Sequence, residues 1–308
     1  MKRVISILCS DIHLSLVSPV ARSVEPDWLQ AQGRVLNQLH ELKKEHDCPI
    51  VVAGDVFDKW NVYPELINWT IDHLPVVYAV TGQHDLPLHS YDDLPKSAYW
   101  TLVKAKKIIN LGPGESYSIT KSPLVLHGFP WGSVITPFCI GNDDGYGDDD
   151  IHLAVVHDYF WKTGKGFPGA PADKCLGAYS IRFQGYDAVV FGDNHNGFLV
   201  GTDEQFILNS GCLIRRKQDE RKYKAQVGLL YEDGTIGIHY LDTSEDKWLD
   251  AEEEVEELEN AGLGEFLEEL KQTDIESVDF QEEVKRFLLK NEVSSGAKKV
   301  ILEVLGEK

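Results

Sequence analysis

No run of about 20 apolar residues occurs in the 308-residue chain, so no segment reads as a membrane-spanning helix. The opening MKRVISILCSDIH is basic and then apolar, but its apolar part is too short for a signal peptide and reads as a first strand. Cysteine is scarce: Cys9, Cys48, Cys139, Cys175 and Cys212 form no CxxC pair and no zinc-ligand spacing. That pattern points to reduced thiols in a cytoplasmic protein. Positive charge is also short, with 30 Lys and Arg against 50 Asp and Glu and a net charge of −20. Such a balance argues against an extended DNA-binding face. The deficit is local, because −12 of it falls between Glu245 and Lys290. No internal repeat appears, and the Gly/Asp stretch GNDDGYGDDD (141–150) reads as a solvated loop.

What is present is a series of short Val- and Ile-rich runs: RVISILC (3–9), PIVVA (49–53), PVVYAV (75–80), PLVLHGF (123–129), IHLAVV (151–156) and DAVVF (187–191). Trp28, Gln32, Val35, Leu36, Leu39 and Leu42 recur at helical spacing behind a capping Asp27, and Pro64 opens a second helix over 63–74. Strands alternating with helices predict parallel pairing in an α/β domain. From 197 to 241 the runs crowd together, and YEDGTI predicts a hairpin. After Thr243 the chain turns acidic and helical, which sets a domain of 1–244 and an appendage of 245–308.

Five of these runs end in polar groups. ISILC leads to Asp11 and His13, PIVVA to Asp55 and Asp58, VVYAV to Gln83, His84 and Asp85, HLAVV to His157, and DAVVF to Asp193 and His195. Ligands of open α/β sheets bind beyond the carboxyl ends of the strands, so five strands of one sheet would gather these residues. Any one of them alone is more often a turn or a cap. So many carboxylates together repel unless cations neutralise them, which makes metal binding the expected chemistry.

The series DxH, GDxxD, GQHD, H and GxxH resembles the calcineurin-like metallophosphoesterase superfamily, over roughly residues 1–241. GDVFD with NVYPELINW, and ILNSGCLIRR after the last histidine, are similar to the SbcD-type nucleases of double-strand-break repair, and GQHDLP to phosphoesterases carried by bacteriophages. The resemblance implies a two-sheet sandwich flanked by helices, with two divalent cations. Asp11, His13 and His195 would hold the first, Gln83, His157 and Asp193 the second, and Asp55 both. Cations about 3.5–4 Å apart clamp phosphoryl oxygens and activate a water for in-line attack. His84 would serve the transition state or leaving group with Asp85 orienting its ring, and Asp58 would position a ligand.

Gln83 and Asp193 replace the Asn and His usual in that family. They make the second site richer in oxygen, favouring manganese or magnesium; the alternative is a second site too weak to work, leaving a scaffold. Arg215 and Arg216 open the basic run RRKQDERKYK and are candidate phosphate contacts, or else a salt-bridged turn. Tyr159, Phe160 and Trp161 follow His157 and are candidates for stacking on bases. Helices over 252–305, with a stripe of Phe280, Val284, Phe287 and Leu288, would meet an SbcC-type ATPase, cover a sheet edge or form a homodimer. The expected activity is a DNA exo- or endonuclease, in the host cytoplasm if phage-encoded. The alternatives are a small-molecule phosphodiesterase or phosphomonoesterase, or a weakly active scaffold for the ATPase.

Overall fold

The computed structural model describes residues 2–139, 146–147, 149–162, 174–176, 183–202 and 205–250. The predicted helices over 252–305, their apolar stripe and most of the 141–150 loop lie outside these residues. The chain divides into two compact units, residues 1–19 with 25–247 and residues 20–24 with 248–308. In the second, a 3₁₀ turn spans Val20–Arg22, the Leu249 amide donates to the Ala21 carbonyl at 3.0 Å, and the Arg22 guanidinium lies 4.8 Å from the centre of the Trp248 ring.

Among its described residues the first unit carries twelve strands: β1 (Val4–Cys9), β2 (Ile50–Ala53), β3 (Val77–Val80), β4 (Ile108–Asn110), β5 (Ser116–Ser118), β6 (Leu124–Phe129), β7 (Ile151–His157), β8 (Ala188–Gly192), β9 (Phe198–Gly201), β10 (Phe206–Asn209), β11 (Gln226–Tyr231) and β12 (Ile236–Tyr240). They form two six-stranded sheets, ordered β12-β11-β1-β2-β3-β4 and β5-β6-β7-β8-β10-β9. In the first, β1, β2, β3 and β4 run parallel and the antiparallel strands β11 and β12 close one side; in the second, β6, β7, β8 and β10 run parallel between antiparallel β5 and β9. This is an α/β architecture of two mixed sheets, as the resemblance implies.

Three helices belong with the first sheet: α1 (Trp28–His46), α2 (Pro64–His73) and α3 (Ala98–Lys104). Asp27 caps α1 by accepting the Gln30 amide at 2.9 Å, and Pro64 opens α2. The expected hairpin is β11–β12, with Gly234 at φ +77° in its turn. α3, β4 and β5 escape the sequence reading because they are too short to show a period.

Both faces of the central strands are buried, which is why they read as continuous apolar runs. In β2, Ile50 and Val52 face α1 and α2, while Val51 and Ala53 face the second sheet. In β7, Leu153 and Val155 join that inter-sheet core, and Ala154 and Val156 turn to an outer layer with Phe160, Phe183 and Phe191. Period-two alternation thus builds three apolar layers from the same strands.

Candidate metal centre

The expectation of one sheet delivering all five polar strand ends is corrected. β1, β2 and β3 belong to the first sheet, β7 and β8 to the second. Strands apolar on both faces fit one doubly covered sheet as well as two stacked sheets, so sequence pattern could not separate them. The carboxyl ends nevertheless meet, because the two sheets stack with those ends on the same side.

Glycines allow the meeting. A Cβ on Gly54 would lie 2.1 Å from His157 Nδ1, one on Gly82 would lie 2.0 Å from Asp55 Oδ1, and one on Gly192 would lie 2.1 Å from the Ala53 carbonyl. The backbone is also bent into the left-handed region at Asp11 (φ 51°), His13 (φ 50°), Asp55 (φ 53°) and Asp193 (φ 76°). Each such non-glycine residue costs about 1–3 kcal/mol and persists only where the surroundings enforce it.

The side chains then form one network. His157 Nδ1 donates to the Ala53 carbonyl at 2.6 Å, and its Nε2 stands 2.8 Å from Gln83 Oε1 and 3.4 Å from Asp55 Oδ2. Gln83 Nε2 donates to Asp193 Oδ1 at 2.8 Å, and the Asp193 amide donates to the Asp11 carboxylate at 3.0 Å. His13 Nε2 and His195 Nε2 face each other 3.1 Å apart, with His13 Nε2 also 3.7 Å from Asp55 Oδ2. The structure therefore brings Asp11, His13, Asp55, Gln83, His157, Asp193 and His195 together. His84 lies beside them, its ring edge-on to His13 with centroids 4.9 Å apart.

Electrostatics follow from burial opposed by these neighbours. Burial raises the Asp11 carboxyl to about 6, with His157 and His195 pulling the other way. Burial also acts to raise Asp55, but the nearby charge of His157, then of His13, prevails and holds it below the usual carboxylate range. Burial opposes the His157 imidazolium, yet Asp55 lifts it to about 10. Burial, opposed by Asp55 and reinforced by His195, Arg216 and His84, pushes His13 down to about 3. A buried Asp55–His157 ion pair and a neutral His13 result.

These groups suit divalent cations. Asp55 Oδ2 and His13 Nδ1 are buried without a hydrogen-bond partner, an expensive state for polar atoms that a cation relieves for Asp55. Ligand atoms of Asp11, His13 and His195 lie within 4.8 Å of one another, as do those of Asp11, Asp55 and His157. Two imidazole nitrogens facing one another need a proton or a metal between them. Here Asp11 enters both groups, while Asp55 stands between His13 and His157.

Three sequence expectations change. Asp85 does not orient His84: its buried carboxylate accepts the amides of Val56 (3.3 Å), Phe57 (3.1 Å) and Gly82 (3.1 Å). Burial first, then the charge of Asp55, push Asp85 to about 7 despite those amides. The His84 ring is held instead by the Asp58 carbonyl, 2.7 Å from Nδ1. Arg215 is no phosphate contact, because its buried guanidinium donates to the carbonyls of Arg221 and Tyr223 and to Asp246. Arg216 lies in the site but turns inward, onto the Asp58 carboxylate, which is 3.9 Å from His13 Nδ1. The salt-bridged turn describes this segment. Phe160 is a core residue stacked on Phe191, not a base platform.

Glu220 went unrecognised. It lies within the basic run RRKQDERKYK, and its buried carboxylate accepts from His195 Nδ1 at 2.7 Å and from the amides of Arg216 and Lys217. Burial acts to raise it, but the His195 bond and those amides hold it at about 2. Only the acidic residue's position after the last histidine hints at this. A cleft of about 240 Å³ lies over the centre, lined by Gln83, His84, Asp193, His195, Asn196, Lys217, Asp219 and Glu220.

The five cysteines form no disulfide, and among the described residues no helix is long and apolar enough to cross a membrane. No curated protein matches the sequence. Among solved structures, one assigned as a 5′-nucleotidase from Staphylococcus aureus aligns with 83% of this chain and 58% of its own, at 12% identity and TM-score 0.44. An archaeal phosphodiesterase aligns with 79% of this chain and 96% of its own, at 13% identity and TM-score 0.36. The NAD nucleotidase of Haemophilus influenzae aligns with 97% of this chain and 59% of its own, at 13% identity and TM-score 0.42. The chain thus spans little more than half the length of two of these proteins. The family model described as calcineurin-like phosphoesterase matches residues 6–197, which contain every side chain of the paired clusters. The chain belongs to the calcineurin-like phosphoesterase family.

Proposed function

We propose that this metallophosphoesterase is a two-cation phosphodiesterase acting on DNA, an exo- or endonuclease of SbcD type working in repair, recombination or degradation. The observation that carries the hydrolytic reading is the convergence of side chains from two sheets on the buried, unpartnered Asp55 Oδ2. DNA as substrate rests on the resemblance of GDVFD-NVYPELINW and ILNSGCLIRR to that nuclease branch. Asp11, His13 and His195 would hold one cation, Gln83, His157 and Asp193 the other, and Asp55 both. Bound manganese, with magnesium as the alternative, would neutralise phosphoryl oxygens and acidify the attacking water.

The chain's own groups do the rest. Ala53 fixes the His157 ring so that Nε2 points inward, and Glu220 does the same for His195. With Nδ1 held by the Asp58 carbonyl, His84 has Nε2 left to hold or release a proton at the leaving oxygen. Lys217 brings positive charge to the cleft.

One observation favours a second reading, a small-molecule phosphodiesterase or phosphomonoesterase. Arg215 and Arg216 point into the protein, which leaves Lys217 as the one lysine or arginine among the described residues lining the cleft. A third is a weakly active scaffold for an SbcC-type ATPase, or a homodimer, in a reducing cytoplasm. Purified protein with manganese, incubated with single- and double-stranded DNA and with bis(p-nitrophenyl) phosphate, separates these. Cleavage of DNA that Asp55→Asn abolishes supports the nuclease. Hydrolysis of the aryl diester with all DNA intact overturns it in favour of the small-molecule enzyme. Cation-dependent thermal stabilisation without any hydrolysis leaves the scaffold.

A further inference from the structure

We propose that Glu220 is a positioning residue that governs one of the two cation sites and ties it to the substrate-facing turn. It lies beyond the residues that the family model matches, on a 3₁₀ turn spanning Gln218–Lys222. Its carboxylate is fixed from one side by the amides of Arg216 (2.6 Å) and Lys217 (2.9 Å) and engages His195 Nδ1 from the other (2.7 Å). An Nδ1–H donor leaves the lone pair on Nε2, and that atom faces His13 Nε2 at 3.1 Å beside Asp11. The carboxylate therefore selects the tautomer that can bind a cation.

The two sites differ in how their histidines are held. His157 is oriented by a backbone carbonyl, that of Ala53, which no side-chain substitution removes. His13 Nδ1 has no hydrogen-bond partner among the described residues, the Asp58 carboxylate lying 3.9 Å away. Of the two histidines in the Asp11–His13–His195 group, His195 is the one whose Nδ1 is held by a hydrogen bond among the described residues, and Glu220 supplies it. The same carboxylate holds the amide of Lys217, whose side chain lines the cleft. Losing Glu220 should thus weaken one cation and displace one substrate contact, leaving the other cation alone.

The inference rests on the paired-cation reading of the centre. Calorimetric titration of the metal-stripped full chain with manganese tests both, separately. If the native chain binds no manganese, the paired-cation reading falls and Glu220 with it. If the native chain binds two ions, Glu220→Ala should weaken one by about 10–100-fold and leave the other unchanged. Glu220→Gln keeps the shape but cannot accept from His195 and both amides at once, and should weaken the same ion by about tenfold. The isosteric variant keeps the test decisive should the alanine variant unfold. Two ions bound with native affinities by a folded Glu220→Gln protein would overturn the inference while sparing the centre. Equal weakening of both ions would overturn it too, since a general loosening of the fold has no reason to spare His157.

Discussion

Single residues set the centre through glycine and strained backbone as much as through ligand chemistry. Gly82 has no room for a methyl group, because its Cβ would lie 2.0 Å from Asp55 Oδ1. Gly82→Ala should therefore displace the shared carboxylate and cut phosphodiester hydrolysis at least tenfold while the chain still folds; kinetics on an aryl diester, beside a circular dichroism spectrum, check this. A second residue-scale effect lies away from the centre. His127 Nε2 meets His152 Nδ1 at 3.0 Å, with Ser116 Oγ on the far side of His127. Burial first, then His152, hold His127 at about 4 against an ordinary 6.5. Burial lowers His152 as well, opposed by Asp187 and Asp150. The unfolded chain therefore takes up protons between pH 6.5 and about 4 that the folded chain refuses. Stability from this pair is complete above pH 6.5 and declines as pH falls toward 4. Melting temperatures across that interval should show the decline, and His127→Gln should flatten it. The residues that the structure gathers at the centre were legible one by one in the sequence; the surroundings of Asp85, Arg215 and Glu220 were not, because a carboxylate or guanidinium near a site has no sequence mark telling whether it faces inward or out.

At the scale of elements, the short 3₁₀ turn Gln83–Asp85 after β3 is fastened to the loop after β2 by one buried side chain. Asp85 accepts amides from both segments, Gly82 from its own and Val56 and Phe57 from the other. Asp85→Ala would leave three buried donors unsatisfied, so urea unfolding should show a loss of about 2–4 kcal/mol. A loss under 1 kcal/mol would mean that water or a shift of the loop replaces the carboxylate. Central strands and long helices were readable because their apolar periods run over several turns or several residues. α3, β4 and β5 were not, since seven, three and three residues offer too little period to stand above chance.

Across the whole of the first unit, the centre is a seam between two sheets. Side chains from β1, β2 and β3 meet those from β7 and β8, and the apolar layer beneath them contains Leu8, Val51, Val155 and Val190. Leu8 is fully buried there, and Leu8→Ala should cost about 2–5 kcal/mol by thermal or urea unfolding. Cations held between the sheets bind the folded chain and not the unfolded one, so each contributes about 2.7 kcal/mol at a hundredfold excess over its dissociation constant. Stripping both with a chelator should lower the melting temperature by roughly 10–20 °C, and manganese should restore it. An unchanged melting curve would mean that no ion bridges the seam.

The sequence by itself determined the strand cores, the two long helices, the DG hairpin and the set of residues able to bind cations, because these depend on local period and on which side chains can act as ligands. Only the tertiary structure decided that two sheets rather than one deliver those side chains, and that Glu220 joins them while Arg215 does not. The reason is physical: an apolar strand buried on both faces reads alike in one layered sheet or in two stacked ones, and the direction of a charged side chain is set by partners far away in the chain.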